Sequence, residues 1–371
     1  MSGAALRPVS VIVFVGDSGL THYAMSLARA LAVHRRVELV TGRSYVHQDY
    51  PDLPCRVIPF FRRSRYYPLD LVRLLLHLLQ RRDHIVLLQS VLKVPTLDAL
   101  FFRLLRWLGL RCVMTVHDVL PHHPLPTSRF SHRLLYNAFK ALIVHSERTR
   151  CDVAALGVKV ASHVVPHGIY DVFDFDGLTA IEARARYSTF HPDDYVVLFF
   201  GRINRRKGIV EFLDLIDDLA GVPGLRFIVA GSNGIGGEDR ALLERFEKVR
   251  VDPRCLVEDG LVPFGDVQHY FRMANVVVLP YREGTTSGVL KLALAFGRPV
   301  IAADVGDLGE ALADDIGLLL PPDFDRQQFS RAVLEMRQRG AHFAACGAAV
   351  REKYAWPRVA IVYSELLRRL D

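Results

Sequence analysis

Short, predominantly apolar stretches alternate with helix-patterned stretches along most of this chain, and that alternation limits the fold more than any other feature. In the first half the apolar runs fall at residues 9–15, 37–40, 85–88, 113–116 and 142–144, separated by helical patterns such as "THYAMSLARALAVH" and "TLDALFFRLLRWLGL". In the second half they lie in "YVVLFFGR", "LRFIVAG", "NVVVLP" and "RPVIAAD". Successive side chains of a strand point to opposite faces, so a strand with no polar position must be covered on both. The prediction is an α/β chain of parallel sheets flanked by helices.

Its 371 residues suffice for two such domains. The alternation lapses in "DVFDFDGLTAIEARARYSTFHPDD" and then restarts. This divides the chain into a first domain at 1–172, a connection at 173–191 and a second domain at 192–356, with a closing helix at 357–371 that carries Pro357 in its first turn. Two Rossmann-like domains in tandem frame a cleft, and ligands of such sheets bind beyond the carboxyl ends of the strands. The loops that directly follow strands are therefore the places to search.

Several classes drop out. The five cysteines form no CxxC or Cys/His cluster, which argues against structural zinc and for a reducing, cytosolic setting. The opening "MSGAALRPVSVIVFVG" lacks the basic head of a signal peptide, and arginines interrupt every long apolar segment before it could span a membrane. A net charge of +7 suits an acidic partner: nucleic acid, anionic lipid or a phosphorylated small molecule. No nucleic-acid motif occurs, and basic charge also serves solubility alone.

Four loops carry the candidate chemistry. In "FFGRINRRKGIVEF" a strand ends at Gly201, and Arg202 and Lys207 bracket a basic loop before a helix. Two cations beside the positive end of a helix suit a diphosphate; solvated loop charge is the plain alternative. In "REGTTSGVLKLALAF" the residues Thr285, Thr286, Ser287 and Gly288 open a helix with more donors than one N-cap requires. Gly288 and Val289 would present backbone to a phosphate or sugar hydroxyl there, and Glu283 could accept from sugar hydroxyls. In "VGDSGLTHYAMS" Gly16 and Gly19 flank a turn that is not a GxGxxG fingerprint. His117, in "TVHDVLPHHP", follows a strand, as do His145 and His167; His122 and His123 lie in a Pro-rich loop. Ser232, in "AGSNG", could reach a nucleotide or simply turn the chain.

Taken in order, "VVLFFGRINRRKG", "AGSNG", "VVVLPY", the Ser-Gly helix start and "GRPVIAADVGDLGE" resemble the retaining GT-B fold glycosyltransferases of the large group 1, family 4-like class. "TVHDVLPHHP", "ALIVHSERTR" and "VVPHGIYDVF" resemble the first-domain motifs of that family. The resemblance implies that Arg202 and Lys207 bind the donor diphosphate, that backbone amides around Thr286–Val289 contact phosphate and sugar, and that Glu283 is the first acid of a Glu-x7-Glu motif. It further implies that Gly16 to Gly19 approach the donor, that His117 lies near the transferred sugar and that the last helix crosses back onto the first domain. One departure stands out: where the family's second acid holds the ribose, this chain has Lys291 or Leu292.

The implied reaction takes a UDP- or GDP-sugar and needs neither metal nor cofactor. It moves the sugar to a glycan or lipid-linked acceptor with retention of configuration. Arginines and aromatics among dense leucines in "FFRRSRYYPLDLVRLLLHLLQRR" and "FFRLLRWLGLR" suit an anionic membrane surface, or else core helices with solvated arginines. The expected setting is the cytoplasm, with attachment to the inner face of the cytoplasmic membrane. A nucleotide-sugar 2-epimerase and a non-catalytic partner subunit are the competing functions.

Overall fold

A computed structural model describes residues 6–45, 53–62, 64–121, 124–284, 286–312 and 316–370. His122, His123 and Thr285 lie outside the described residues. The chain forms two compact units, one of residues 1–168 with 354–371 and one of residues 169–353.

Among the described residues the first unit holds, in chain order, β1 (Val9–Ile12), α1 (Gly19–Leu31), β2 (Val37–Gly42), β3 (Arg56–Phe61), α2 (Tyr67–Leu79), β4 (Ile85–Leu88), α3 (Pro95–Trp107), β5 (Arg111–Thr115), α4 (Ser128–Tyr136), β6 (Ala141–Val144), α5 (Glu147–Ala155) and β7 (Ser162–Val164), with α13 (Trp356–Arg368) added from the far end of the chain. The second holds α6 (Ala180–Ala185), β8 (Tyr195–Phe200), α7 (Ile209–Asp218), β9 (Leu225–Gly231), α8 (Arg240–Arg250), β10 (Cys255–Asp259), α9 (Val267–Met273), β11 (Val276–Leu279), α10 (Gly288–Ala295), β12 (Val300–Ala303), α11 (Leu308–Leu312), β13 (Gly317–Leu320) and α12 (Arg326–Lys353).

Both sheets are parallel throughout their described pairs. The first runs β3-β2-β1-β4-β5-β6-β7 and the second β10-β9-β8-β11-β12-β13. Every residue of β1, β4, β6, β11 and β12 is buried, as strands covered on both faces should be, and Ser10, the polar residue of β1, donates to Glu38 at 2.7 Å. In the first unit α2, α3 and α4 lay Leu74, Phe102 and Leu135 against Val86, Leu88 and Met114 in one core. In the second, Phe212 of α7, Phe246 of α8 and Val333 of α12 close over Phe227 and Val229 of β9.

Three features differ from the sequence reading. Strands β3, β7, β10 and β13 are absent from the runs identified above, and they are the outer strands of the two sheets. With one side of the ladder open they keep polar or half-exposed positions, as in β7, where all three residues are half-buried. The first strand stops at Ile12 rather than at 15, because Phe14 turns away to pack on Phe61, with ring centroids 5.1 Å apart. Finally, residues 173–191 are no free connection. They belong to the second unit, where the buried Arg184 donates to the Met273 carbonyl and the Asn275 side chain, both at 2.7 Å, and Asp174 pairs with Arg272.

Candidate functional site

The second sheet grows outward from β8 through β9 to β10, after which the chain returns to lay β11 on the other side of β8. Loops that follow β8 and β11 therefore diverge, which makes the crevice where sheets of this kind bind ligands. Arg202 and Lys207 come from the first of these loops, and Glu283 to Val289 from the second.

Glycines set the loop after β8. Gly201 has φ +102°, and a Cβ on Gly231 (φ +147°) would lie 1.8 Å from the Gly201 carbonyl oxygen. The Ile203 N–H donates to the Ser232 carbonyl (2.9 Å) and the Gly234 N–H to the Ile203 carbonyl (2.8 Å). Ser232 thus helps to fasten the loop after β9 to the loop after β8. Arg202 is exposed and lies over Gly234, where an added Cβ would meet its Nε at 2.7 Å. Lys207 ends a single 3-10 turn capped by Asn204, whose side chain accepts from the Lys207 N–H at 3.0 Å. Its Nζ sits 3.8 Å from the centre of the Tyr281 ring. Arg202 thus meets the loop after β9 and Lys207 the loop after β11.

Tyr281 connects Lys207 to the start of α10, for its hydroxyl and the Ser287 Oγ are 3.1 Å apart. Ser287, 2% exposed, caps α10 by accepting from the Leu290 N–H at 3.3 Å. The Thr286 hydroxyl donates to Asp307 at 2.9 Å. Both hydroxyls are thus held by the protein itself, which corrects the reading of them as free donors. What remains are the first two N–H groups of α10, on Gly288 and Val289, which find no acceptor among the described residues. They stand at the positive end of a helix, the arrangement that binds a phosphate oxygen. Glu283 is mostly exposed and pairs with Arg206 at 3.0 Å, so here it steadies the β8–α7 loop.

Asp307 and Tyr170 in this region escaped the sequence reading, and Lys291 entered it only as the residue in place of the second motif acid. Asp307, from the loop after β12, holds Thr286; burial raises its carboxyl pKa, against the pull of Lys291 and the Thr286 hydroxyl. Lys291, 6% exposed, lies near enough to Asp307 to act on it electrostatically. Tyr170 lies under Gly288, where an added Cβ would sit 3.3 Å from the ring. The acidic "ADVGDLGE" stretch was the available signal for Asp307, and only the adjacency of β11 and β12 gives it meaning.

In the first unit His117, His145 and His167 follow β5, β6 and β7. Ring centroids of His117 and His145 are 4.9 Å apart and those of His145 and His167 4.8 Å, and Tyr23 packs 4.6 Å from both His117 and His167. Burial, helped by His145, holds the His117 pKa well below the usual value, so His117 is neutral at physiological pH. It can exchange hydrogen bonds with a sugar hydroxyl but supplies no charge. The ligand nitrogens of the three rings lie within 4.8 Å of one another, the one histidine set of metal-binding proximity among the described residues. Gly16 is buried because its backbone meets the β2–β3 loop: a Cβ there would fall 2.4 Å from the Tyr45 nitrogen. That packing accounts for Gly16 without a ligand. Gly19 is the exposed first residue of α1, whose N-cap is Ser18.

Two family profiles match this chain: "Glycosyl transferases group 1" over residues 194–339 and "Glycosyl transferase 4-like domain" over residues 18–168. A D-inositol 3-phosphate glycosyltransferase of Catenulispora acidiphila is 30% identical over 184 residues, 45% of this chain and 41% of that protein. An alpha-D-kanosaminyltransferase of Streptomyces kanamyceticus is 23% identical over 259 residues, 65% of this chain and 66% of that protein. The chain spans about half the length of most of the curated relatives it matches, 41% to 52% of the first five. Among solved structures, Anabaena HepE in complex with UDP-glucose has the same fold, with TM-score 0.74 at 13% identity over 98% of this chain and 99% of that one.

Proposed function

The chain belongs to the group 1 glycosyltransferases, and from that premise we propose that it moves a hexose from a UDP- or GDP-sugar to an acceptor hydroxyl with retention at the anomeric carbon. The observation that carries this reading is the pairing, at the β8/β11 switch point, of Lys207 with the two open N–H groups of α10. A UDP-sugar is favoured, since HepE shares the fold and was determined with UDP-glucose.

In this reaction the bond between the anomeric carbon and the diphosphate oxygen lengthens, and its electron pair passes to the diphosphate. Lys207, Arg202 and the Gly288 and Val289 amides stabilise that growing charge. The acceptor oxygen attacks from the side the diphosphate leaves, and its proton passes to the departing phosphate oxygen. Retention follows without a protein nucleophile. Neutral His117 orients a hydroxyl of the sugar. Neither metal nor cofactor takes part.

A thermal-shift panel of UDP, GDP, ADP and their sugar conjugates, with and without EDTA, tests the donor. A nucleotide at a hundred times its dissociation constant should stabilise the protein by about 2.7 kcal/mol. One hit unmoved by EDTA is the expected outcome. No shift with any nucleotide would sink the donor assignment, and a hit lost in EDTA would sink metal independence. The anomeric coupling in the product, read by NMR, tests retention.

The work is done at an anionic membrane, on the cytoplasmic side. Helices α2 and α3 share one core on their inner sides. Outward they expose Leu69 (58%), Val72 (57%) and Leu76 (58%) on α2, and Leu100 (59%) and Trp107 (82%) on α3. The exposed Arg103 lies on the α3 stripe and the exposed Arg65 in the turn just before α2, the pattern of an interfacial surface. Among the described residues no helix is long and apolar enough to cross a membrane. Co-sedimentation should rise steeply from neutral phosphatidylcholine vesicles to vesicles with phosphatidylglycerol; equal sedimentation with both would overturn the attachment.

A further inference from the structure

His117, His145 and His167 stand just beyond the carboxyl ends of β5, β6 and β7, three strands that are neighbours in the first sheet. Thr115 lies opposite Ile143 and Val144 opposite Val164, so the strand ends are level and the three imidazoles meet at one edge. Their ligand nitrogens lie within 4.8 Å of one another. Glycosyl transfer as proposed above uses only His117, and it gives His145 and His167 nothing to do.

Tyr23 packs against all three rings, 4.6 Å from His117 and from His167 and 5.3 Å from His145. Aromatic packing explains flat side chains at these positions, but phenylalanine would serve it without ring nitrogens to satisfy. Packing also does not account for how the rings are turned. The His145 Nδ1 lies 3.0 Å from the Val165 carbonyl oxygen and the His167 Nδ1 2.6 Å from that of Gly168. A carbonyl only accepts, so Nδ1 carries the proton in both rings and the lone pair is on Nε2. Histidines that ligate metals are held in this way. Burial, with His145 beside it, keeps His117 neutral too, so no proton has to leave it before a cation binds.

His117 and His145 are half-buried, so the cluster opens to solvent, and His167 (3% exposed) and Tyr23 (0%) form its floor. That floor is fixed, since Trp356 packs 5.2 Å from the Tyr23 ring and the Tyr363 hydroxyl meets that of Tyr23. Zinc holds each nitrogen at about 2.0–2.1 Å, which sets tetrahedral ligands roughly 3.3 Å apart. The rings must therefore close by about 1.5 Å at most, a movement that small side-chain rotations supply. Three neutral imidazoles without a carboxylate suit zinc, cobalt, nickel or copper rather than magnesium or calcium, and they leave a fourth coordination position open.

We propose that His117, His145 and His167 form a binding site for a divalent transition-metal ion of the zinc class, and that the ion opposes donor-sugar binding. A ring nitrogen committed to the ion cannot accept from a sugar hydroxyl, so the metal takes no part in transfer and holds the chain in an idle form. Only this opposition rests on the glycosyl-transfer reading; the ion site stands on the three histidines alone.

Cobalt is the probe for the site. Titrated into the metal-free full chain, one Co²⁺ should give the strong visible d–d bands of a four-coordinate ion, and Zn²⁺ should abolish them. His145→Gln should weaken the binding of both ions about tenfold or more. Cys151→Ser, which removes the exposed thiol, should change neither. Absence of the bands in the parent, which needs no variant to read, would overturn the site, as would unaltered binding by His145→Gln or loss of binding with Cys151→Ser. Calorimetry then tests the opposition. Saturating Zn²⁺ should weaken UDP-glucose binding about tenfold in the parent and leave it unchanged in His145→Gln, with UDP alone unaffected in both. Equal UDP-glucose affinity with and without Zn²⁺ would overturn the opposition. If UDP-glucose fails to bind even without metal, the donor reading fails, and the cobalt bands still decide the site.

Discussion

Lys207→Ala should lower turnover about 10²- to 10³-fold, the usual consequence of removing one fixed group from a developing anionic charge in a shielded site. The fold should survive. Lys207 meets the Tyr281 ring at 3.8 Å, and a partly exposed contact of that kind contributes only about 0.5–1 kcal/mol. Loss of rate with a nearly unchanged melting temperature is thus the signature to seek in steady-state kinetics beside a thermal melt. An arginine at this position should recover little, because its planar fork does not occupy the place of a compact ammonium. Turnover near that of the parent would remove Lys207 from the mechanism.

Gly231→Ala should cost stability on a scale that few single substitutions reach. The new Cβ would lie 1.8 Å from the Gly201 carbonyl oxygen, on a backbone at φ +147° that L side chains rarely adopt. Neither atom can yield without moving a strand end, so the loss should be about 3 kcal/mol or more. For a unit of this size that means a fall of roughly 10 °C in melting temperature. Donor binding should fall too, because the same contact fastens the loop bearing Arg202. Gly237→Ala is the control: an added Cβ there meets nothing within 4 Å, and its melt should overlay that of the parent. If the two variants melt alike, the loops after β8 and β9 do not approach this closely.

The legible parts of the fold were those where one residue's neighbours follow from its own surroundings. A central strand such as β11 is apolar at every position because both its faces are covered, and that shows in "VVVL" alone. An outer strand such as β10, "CLVED", has an open side, tolerates acids and blends into the loops around it. The same logic governs the site. That Arg202 and Lys207 follow one strand in one loop was readable because they are close in sequence. The hold of Asp307 on Thr286 was not, since it depends on β12 lying next to β11. The three histidines were each placed after an apolar run, yet their meeting required β5, β6 and β7 to be neighbours. Ser287 shows the opposite error: three small polar residues and a glycine in a row suggest spare donors, and the helix and Tyr281 already engage the Ser287 hydroxyl.

The placement of α13 bears on how the protein is made. Trp356, 1% exposed, fills a space against Gly168, where a Cβ would strike its ring at 2.5 Å, and the Tyr363 hydroxyl meets that of Tyr23 at 2.8 Å. The partners of Gly168 and Tyr23 leave the ribosome only after the whole second unit has been synthesised. That second unit has all its strands by Leu320 and its last helix by Lys353, so it can close its core while the earlier-made half still lacks a wall. Birth order and completion order are therefore reversed. The nascent first half must wait with Tyr23 lacking its partners Trp356 and Tyr363, and it is the half that needs protection from premature association during translation.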